Sequence, residues 1–362
     1  MKIKKIVLLL LLITIILSLA YHFIKKDLIV NTPLTKDVNV VPTMLDEIGN
    51  DTTWCATFQL IWNDLKNDVV KKDIIFTPQE KIATNLNKEE FTEKMISDEY
   101  YYKVYGPKTI ELKKEIEQAI KKKFNQESDI LNDFNWNSDN ALEQDKRNYF
   151  FYTMLYREFK YKAKFNKLES DYFGKYKNIE YFGLDGDSTT TQREQIQVLF
   201  YNSENDFAIK INTKNSDEVI FYKNPKGKTF KEIYDNIVKN SNDYNGNKNF
   251  EETDRFKAPY LNLNIKKEYS EIEKKTFKTI DNENCIIEKA IQTIKFSIDE
   301  KGGRIKSEAA MDFKYTSIEP LETREFFLND TFAIFLKEEK KQKPYFALKV
   351  SDITKYQKHS KN

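Results

Sequence analysis

Between Glu288 and Pro320 the sequence reads EKAIQTIKFSIDEKGGRIKSEAAMDFKYTSIEP, a strand pattern that runs straight into a long polar excursion. Any fold for this chain has to accommodate that junction. From Ala290 to Ile298 apolar side chains recur at Ile294, Phe296 and Ile298, the period of two of a strand with one buried face. Asp299-Glu300-Lys301-Gly302-Gly303 breaks the pattern. Beyond the glycines a quieter alternation begins: Gly303, Ile305, Ser307, Ala309 and Met311 are small or apolar, whereas Arg304, Lys306, Glu308 and Asp312 are charged. One face of this segment is therefore suited to burial in a sheet, which a merely solvated loop does not require. After Phe313 to Pro320 the chain returns at Phe326 to a β pattern that is strongest from Thr331 to Leu336.

With 362 residues, 40% of them hydrophobic, the chain can bury a substantial core in one large or two ordinary domains. Lys and Arg number 59 against 57 acidic residues, so the overall balance implies no nucleic-acid partner. Residues 1–26 read as a basic start, Lys2, Lys4 and Lys5, followed by an apolar run from Ile6 to Ile24. A run of this length can cross a bilayer as a helix, which favours a membrane anchor over residues 6–24. Ser18-Leu19-Ala20 also offers a small-x-small site for a signal peptidase. Either way the remainder is expected outside the cytoplasm, at the cell membrane or secreted.

Residues 27–50 contain Pro33 and Pro42 without helical periodicity and are expected to be a linker, with the folded domain spanning 51–355 and a polar tail over 356–362. Asp51 or Thr52 is a suitable N-cap for a helix carrying Trp54, Phe58, Ile61 and Leu65 on one stripe. Cys55 and Cys285 are expected as two unpaired, largely buried thiols, since one possible bridge is not a disulfide framework. A short helical stretch around Phe91 to Met95, a strand from Tyr100 to Tyr105 and a helix opened by Pro107, with Leu112, Ile116, Ala119, Ile120 and Phe124 on its apolar face, come next. Asn148 to Phe165 is dense in aromatic and β-prone residues and is expected as one long central strand. Ile196 to Tyr201, Phe207 to Asn212 and Glu218 to Lys223 read as an antiparallel meander. Thr229 caps a helix with Phe230, Ile233, Tyr234 and Ile237 on one face, Ser241 to Glu252 reads as a polar loop, and Leu261, Leu263 and Ile265 alternate in a further strand.

The only histidines are His22, in the leader, and His359, among the last four residues. A Ser-His or Cys-His hydrolase or a histidine-ligated zinc site in the folded body is thereby excluded. Walker and Rossmann glycine motifs do not occur, and Asp185-Gly186-Asp187 reads as a turn rather than a cation site. No catalytic residue, cofactor or metal is expected.

The opening stretch resembles the serpins. The resemblance rests on KAIQTIKFSIDEKG, SEAAM and TSIEP, followed by FFLNDTFAIFL and PYFALKV, which look like the family's two closing strands. It extends at declining quality from about Tyr100 to Ile353. Tyr156 and Phe165 match a family strand pattern in which Tyr161 replaces a Trp and Thr153 an Asn. The resemblance implies an α+β fold of several antiparallel and mixed sheets with surrounding helices and an exposed reactive-centre loop over 302–326. It also implies a protein that is not an enzyme but traps a serine or cysteine protease when that loop is cut and inserts as a strand. The hinge would be Glu300, Gly302, Gly303, Ile305, Ser307, Ala309 and Ala310. The scissile bond would be Thr316-Ser317, with Lys314 and Tyr315 as alternatives: Thr316 suits an elastase-like or subtilisin-like pocket, Tyr315 a chymotrypsin-like one and Lys314 a trypsin-like one. Two departures are plain. Gly303-Arg304-Ile305-Lys306 precedes the small residues of the hinge, and Gln292 stands where the family usually has a His. The alternative is a noninhibitory serpin-like surface or binding protein.

Overall fold

The structure is a computed structural model and describes residues 33–136, 148–186, 188–303 and 323–357. Its first strands are β1 (Asn39–Val40), β2 (Thr52–Cys55), β3 (Tyr101–Pro107), β4 (Tyr149–Leu155), β5 (Phe159–Lys160), β6 (Asn166–Phe173) and β7 (Tyr176–Gly183). They are followed by β8 (Ile196–Ser203), β9 (Asp206–Asn212), β10 (Asp217–Lys223), β11 (Arg255–Pro259), β12 (Leu261–Glu268), β13 (Thr276–Lys278) and β14 (Asn284–Ile286). The last are β15 (Ile291–Ile298), β16 (Gly302–Gly303), β17 (Glu325–Phe327), β18 (Phe332–Glu338) and β19 (Phe346–Val350). The helices are α1 (Thr57–Asp64), α2 (Lys81–Leu86), α3 (Ile110–Phe124), α4 (Thr190–Glu194) and α5 (Phe230–Asp243).

The largest sheet has seven strands in the order β1-β2-β19-β18-β10-β9-β8. Its centre is the antiparallel pair β10 and β18, in register Val219 to Leu336 and Phe221 to Ile334, and every residue of both strands is buried. That is why the inner stretches of these strands, Val219 to Tyr222 and Phe332 to Leu336, read as continuous rather than alternating apolar runs. The meander β8-β9-β10 and the helix α5, whose Thr229 side chain accepts from the Glu232 amide, form as the sequence leads one to expect. A four-stranded sheet, β17-β11-β7-β6, faces this one across Phe221, Phe256 and Phe332, with ring centroids 6.1 and 6.2 Å from Phe221. A second core gathers Phe58 and Trp62 of α1 with Tyr269 and Phe277, and a third packs Leu112, Ile116 and Ile120 of α3 on Phe150 and Tyr152 of β4.

Several expectations are corrected. The folded body begins before Asp51: Val38, Val40, Val41 and Met44 lie in the main core, and β1 pairs in parallel with β2. Prolines at 33 and 42 prevent a helix there but not an extended segment. It also runs past Lys355, since Tyr356 is buried. The helix expected from Asp51 starts at Thr57 instead. Thr52 to Cys55 is a fully buried, edge-proximal strand on β19, because Thr and Trp suit a pleated sheet and the local helical stripe is overridden by that pairing. Helix α3 is capped by Thr109, whose hydroxyl accepts from the Leu112 amide, while Pro107 ends β3. Around Phe91 to Met95 only a single tight turn, Glu93–Met95, is present.

The long strand expected over 148–165 is broken. β4 ends at Leu155, Tyr156 to Glu158 leave the strand, and β5 holds only two residues. Both cysteines are free thiols; Cys55 is buried, whereas Cys285 is half-buried. Among the described residues no helix is long and apolar enough to cross a membrane; residues 6–24 lie outside them.

Candidate functional site

β15, formed by the alternating Ile294, Phe296 and Ile298 stretch, pairs antiparallel with β12, Leu261 opposite Ile298 and Ile265 opposite Ile294. Its buried side chains are Ile291, Gln292, Ile294 and Ile298, while Phe296 is half-buried against Phe346, ring centroids 4.7 Å apart. Gln292, the second residue of β15, is buried, and its polar atoms are engaged. Its amide nitrogen donates to the Cys55 carbonyl at 3.1 Å and to Thr57 Oγ1 at 2.8 Å, and its carbonyl accepts from the Tyr269 hydroxyl at 2.7 Å. These bonds tie β15 to the start of α1.

At the end of β15 the chain reverses. The amides of Asp299 and Gly302 bond each other's carbonyls, at 3.2 and 3.3 Å, and the Lys301 amide donates to the Asp299 carboxylate at 2.8 Å. Gly302 and Gly303 then pair antiparallel with Lys160 and Phe159 of β5. Glu300 is held inward: its carbonyl accepts from the Phe165 amide at 2.8 Å and its Oε2 from the Tyr260 hydroxyl at 2.9 Å. Burial raises the Glu300 carboxyl, but hydrogen bonds to it from its own backbone amide and from the Tyr260 hydroxyl, with the ammonium groups of Lys301 and Lys167, outweigh it and leave the group below its ordinary value.

Glu300, Gly302 and Gly303, three of the expected hinge residues, thus lie together at β5. The others, Ile305, Ser307, Ala309 and Ala310, lie outside the described residues, as do Lys314, Tyr315, Thr316 and Ser317.

Among the described residues β4 pairs only with β3 and β15 only with β12. Between the two pairs runs a cleft of about 2600 Å³, lined along one side by Tyr149 to Phe159 and along the other by Ile291 to Ser297, with Phe58 and Ile61 of α1 beneath. β16 leaves β15 on the side of β5, so the chain turns from one wall of the cleft toward the other.

Where β4 breaks, a buried ionic group that the sequence reading did not identify closes the gap. The Arg157 guanidinium lies 2.5 Å from Asp217 and 3.1 Å from Glu338, with its Cζ 3.5 Å from the Tyr100 ring centroid. Tyr345 donates to Asp217 at 3.0 Å, and the amide and hydroxyl of Ser97 donate to Glu338. Burial pushes the Asp217 carboxyl up despite the neighbouring guanidinium. The available signal was Arg157-Glu158 inside an otherwise aromatic run. No group of three His, Cys, Asp or Glu side chains that could hold a metal occurs among the described residues.

Compared with solved structures, the chain is similar to the thermophilic serpin tengpin in its native state, at 10% identity over 85% of this chain and 90% of that one, with a TM-score of 0.50. The chain has the serpin fold. It is also similar to Serpin48 of the insect Tenebrio molitor, at 11% identity over 71% of this chain and 77% of that one with a TM-score of 0.43. A further similarity is to thyroxine-binding globulin in complex with thyroxine, at 14% identity and a TM-score of 0.40. That match covers 66% of this chain and spans 64% of the globulin. No protein-family model and no curated protein matches the sequence. The serpin-like α+β architecture expected from the KAIQTIKFSIDEKG stretch is therefore the observed one.

Proposed function

We propose that this serpin-fold protein is an inhibitor that traps a serine or cysteine protease by cleavage and strand insertion of the 302–326 region. The supporting observation is the relation of β16 to the cleft: the chain leaves β15, pairs across at β5, and stands at the head of two strands whose facing edges carry no other strand among the described residues. A strand entering there would run antiparallel to both walls. The alternation of Gly303, Ile305, Ser307, Ala309 and Met311 fits a strand with one covered face.

In this reading the protease nucleophile attacks the Thr316 carbonyl, the Thr316-Ser317 bond breaks, and the amine of Ser317 departs, leaving an acyl-enzyme. Insertion then carries the acylated end away before water completes hydrolysis. The protein itself supplies no catalytic group. The basic start and the apolar run of residues 6–24 support a place outside the cytoplasm, either anchored or released by cleavage after Ala20.

Incubation with elastase-like, subtilisin-like, chymotrypsin-like, trypsin-like and papain-like proteases tests the reading. The expected product is an adduct stable in denaturing electrophoresis, with the mass of protease plus the chain up to the cut bond. Clean cleavage by all five with full recovery of protease activity would contradict it and favour the noninhibitory alternative.

A further inference from the structure

The whole chain is nearly neutral, with 59 basic and 57 acidic residues, yet its charges are not evenly spread. Many of its lysines are paired one to one, as Lys226 with Asp206, Lys231 with Asp235, Lys266 with Asp133 and Lys295 with Asp129. Around the base from which residues 304–322 depart, the arrangement differs. Three backbone contacts draw together segments distant in sequence: Lys160 pairs with Gly302, the Tyr161 amide donates to the Lys301 carbonyl, and the Lys214 amide donates to the Lys160 carbonyl. In the first segment the aromatic rings of Phe159, Tyr161 and Phe165 go to the core, and Lys162 is left exposed. Lys164, Lys167, Lys214 and Lys301 are exposed as well, and Lys160 is half-exposed.

The nearby Glu158, Asp299 and Glu300 carboxylates are fewer than the lysines and offset only part of their charge. Glu300 is buried, and its Oε1 is shared by two ammonium groups, Lys301 at 3.6 Å and Lys164 at 4.0 Å. Glu158 accepts from the Tyr156 hydroxyl at 2.6 Å, and Asp299 accepts from the Lys301 amide in the turn. Lys160, Lys162, Lys167 and Lys214 form no ion pair among the described residues. Cations left unpaired on one face create a field that is felt before contact, and such fields govern association rate and partner choice more than final affinity.

We propose that Lys160, Lys162, Lys164, Lys167, Lys214 and Lys301 form a docking rim for the acidic face of the target protease. The inference rests on the protease reading above and adds to it the charge of the partner: a protease whose surface beside the active-site cleft is acidic is steered to the loop base, and one with a basic surface is repelled. The rim selects by surface charge, whereas the residue before the cut bond selects by pocket.

Anionic and cationic trypsins share a pocket and differ in surface charge, which makes them suitable probes. The rate of cleavage within residues 304–322 is measured for each by mass spectrometry, at about 20 mM and about 300 mM salt, where screening lengths differ several-fold. The expected result is that the anionic enzyme cuts faster by about tenfold at low salt, and that the advantage disappears at high salt. The combined substitution Lys162→Glu, Lys167→Glu and Lys214→Glu is expected to reverse the preference. Should that protein fail to fold, Lys162→Glu and Lys214→Glu singly are expected to reduce it. Equal rates for the two trypsins, unaffected by salt or by the substitutions, would overturn the rim. Adducts scored on the same samples report separately on inhibition: cleavage without adduct would refute the trap while the charge dependence still decides the docking surface.

Discussion

The carbonyl oxygen of Phe159 lies 2.6 Å from the position a Cβ on Gly302 would occupy, and Gly302 has a φ of +111°. The next obstacles, Lys160 Cα at 2.8 Å and the Tyr161 amide nitrogen at 2.9 Å, are also backbone, so no side chain can swing aside. The first glycine of the hinge pattern is thus fixed by two separate demands, left-handed backbone and close approach to β5. Gly302→Ala is expected to destabilise the protein by about 1–3 kcal/mol through backbone strain. Urea denaturation measures this, and a change within about 0.5 kcal/mol, the range of an ordinary surface substitution, would contradict the placement of β16.

Gln292 joins β15 to the beginning of α1 through Cys55 and Thr57 and satisfies the buried Tyr269 hydroxyl. Gln292→Ala leaves that hydroxyl and the Cys55 carbonyl unpartnered, each at a cost of about 1–3 kcal/mol. The second change Tyr269→Phe removes the orphaned donor and is expected to restore the hydroxyl's share of the loss, while the share of the Cys55 carbonyl remains. A double-mutant cycle in denaturant checks this coupling.

Arg157 is the sole guanidinium between Asp217 and Glu338 among the described residues. Arg157→Met retains most of the side-chain volume but strands two buried carboxylates, and the expected destabilisation is about 3–5 kcal/mol. Unaltered stability at neutral pH would show that the carboxylates are not held as a charged group.

How much of this was legible in the sequence depended on whether a pattern was local. The meander from Ile196 to Lys223 and the helix capped by Thr229 follow from turn residues and periodicity within a dozen positions, and both form as expected. The strand at Thr52 was hidden because its apolar residues fit a helical stripe equally well, and only the distant partner Phe346–Val350 decides between the two. The hairpin of β6 and β7 was not anticipated, since LESDYF and KNIEYF carry charges on an exposed face and few apolar repeats. For the site, Glu300, Gly302 and Gly303 were readable from the hinge resemblance. Asp217 and Glu338 were not, because each looks like an ordinary charge at a strand end until Arg157, far away in sequence, is brought against them.

The depressed pKa of Glu300 has a pH consequence with a definite sign. Its unfolded value is near 4.5, so at lower pH the unfolded chain binds the proton more readily than the folded one. The contribution is fully present above that value and is lost as pH falls through the lower folded value. Wild type and Glu300→Gln are therefore expected to converge in relative stability as pH falls from about 7 to about 3, with the wild type losing more on the acid side. Asp217, shifted the opposite way, is common to both proteins and cancels in the difference. Parallel curves across that range, measured by urea midpoints, would contradict the assignment.

The claim that the cleft between β4 and β15 receives the 302–326 region is tested most directly by cutting the chain within residues 313–320 and comparing thermal unfolding before and after. Insertion adds a strand paired on both sides, and in a chain of this size 1 kcal/mol moves the midpoint by about 2 °C. The account requires the cut protein, with both fragments still associated, to unfold about 10 °C or more above the intact one. An unchanged or lowered midpoint would contradict it.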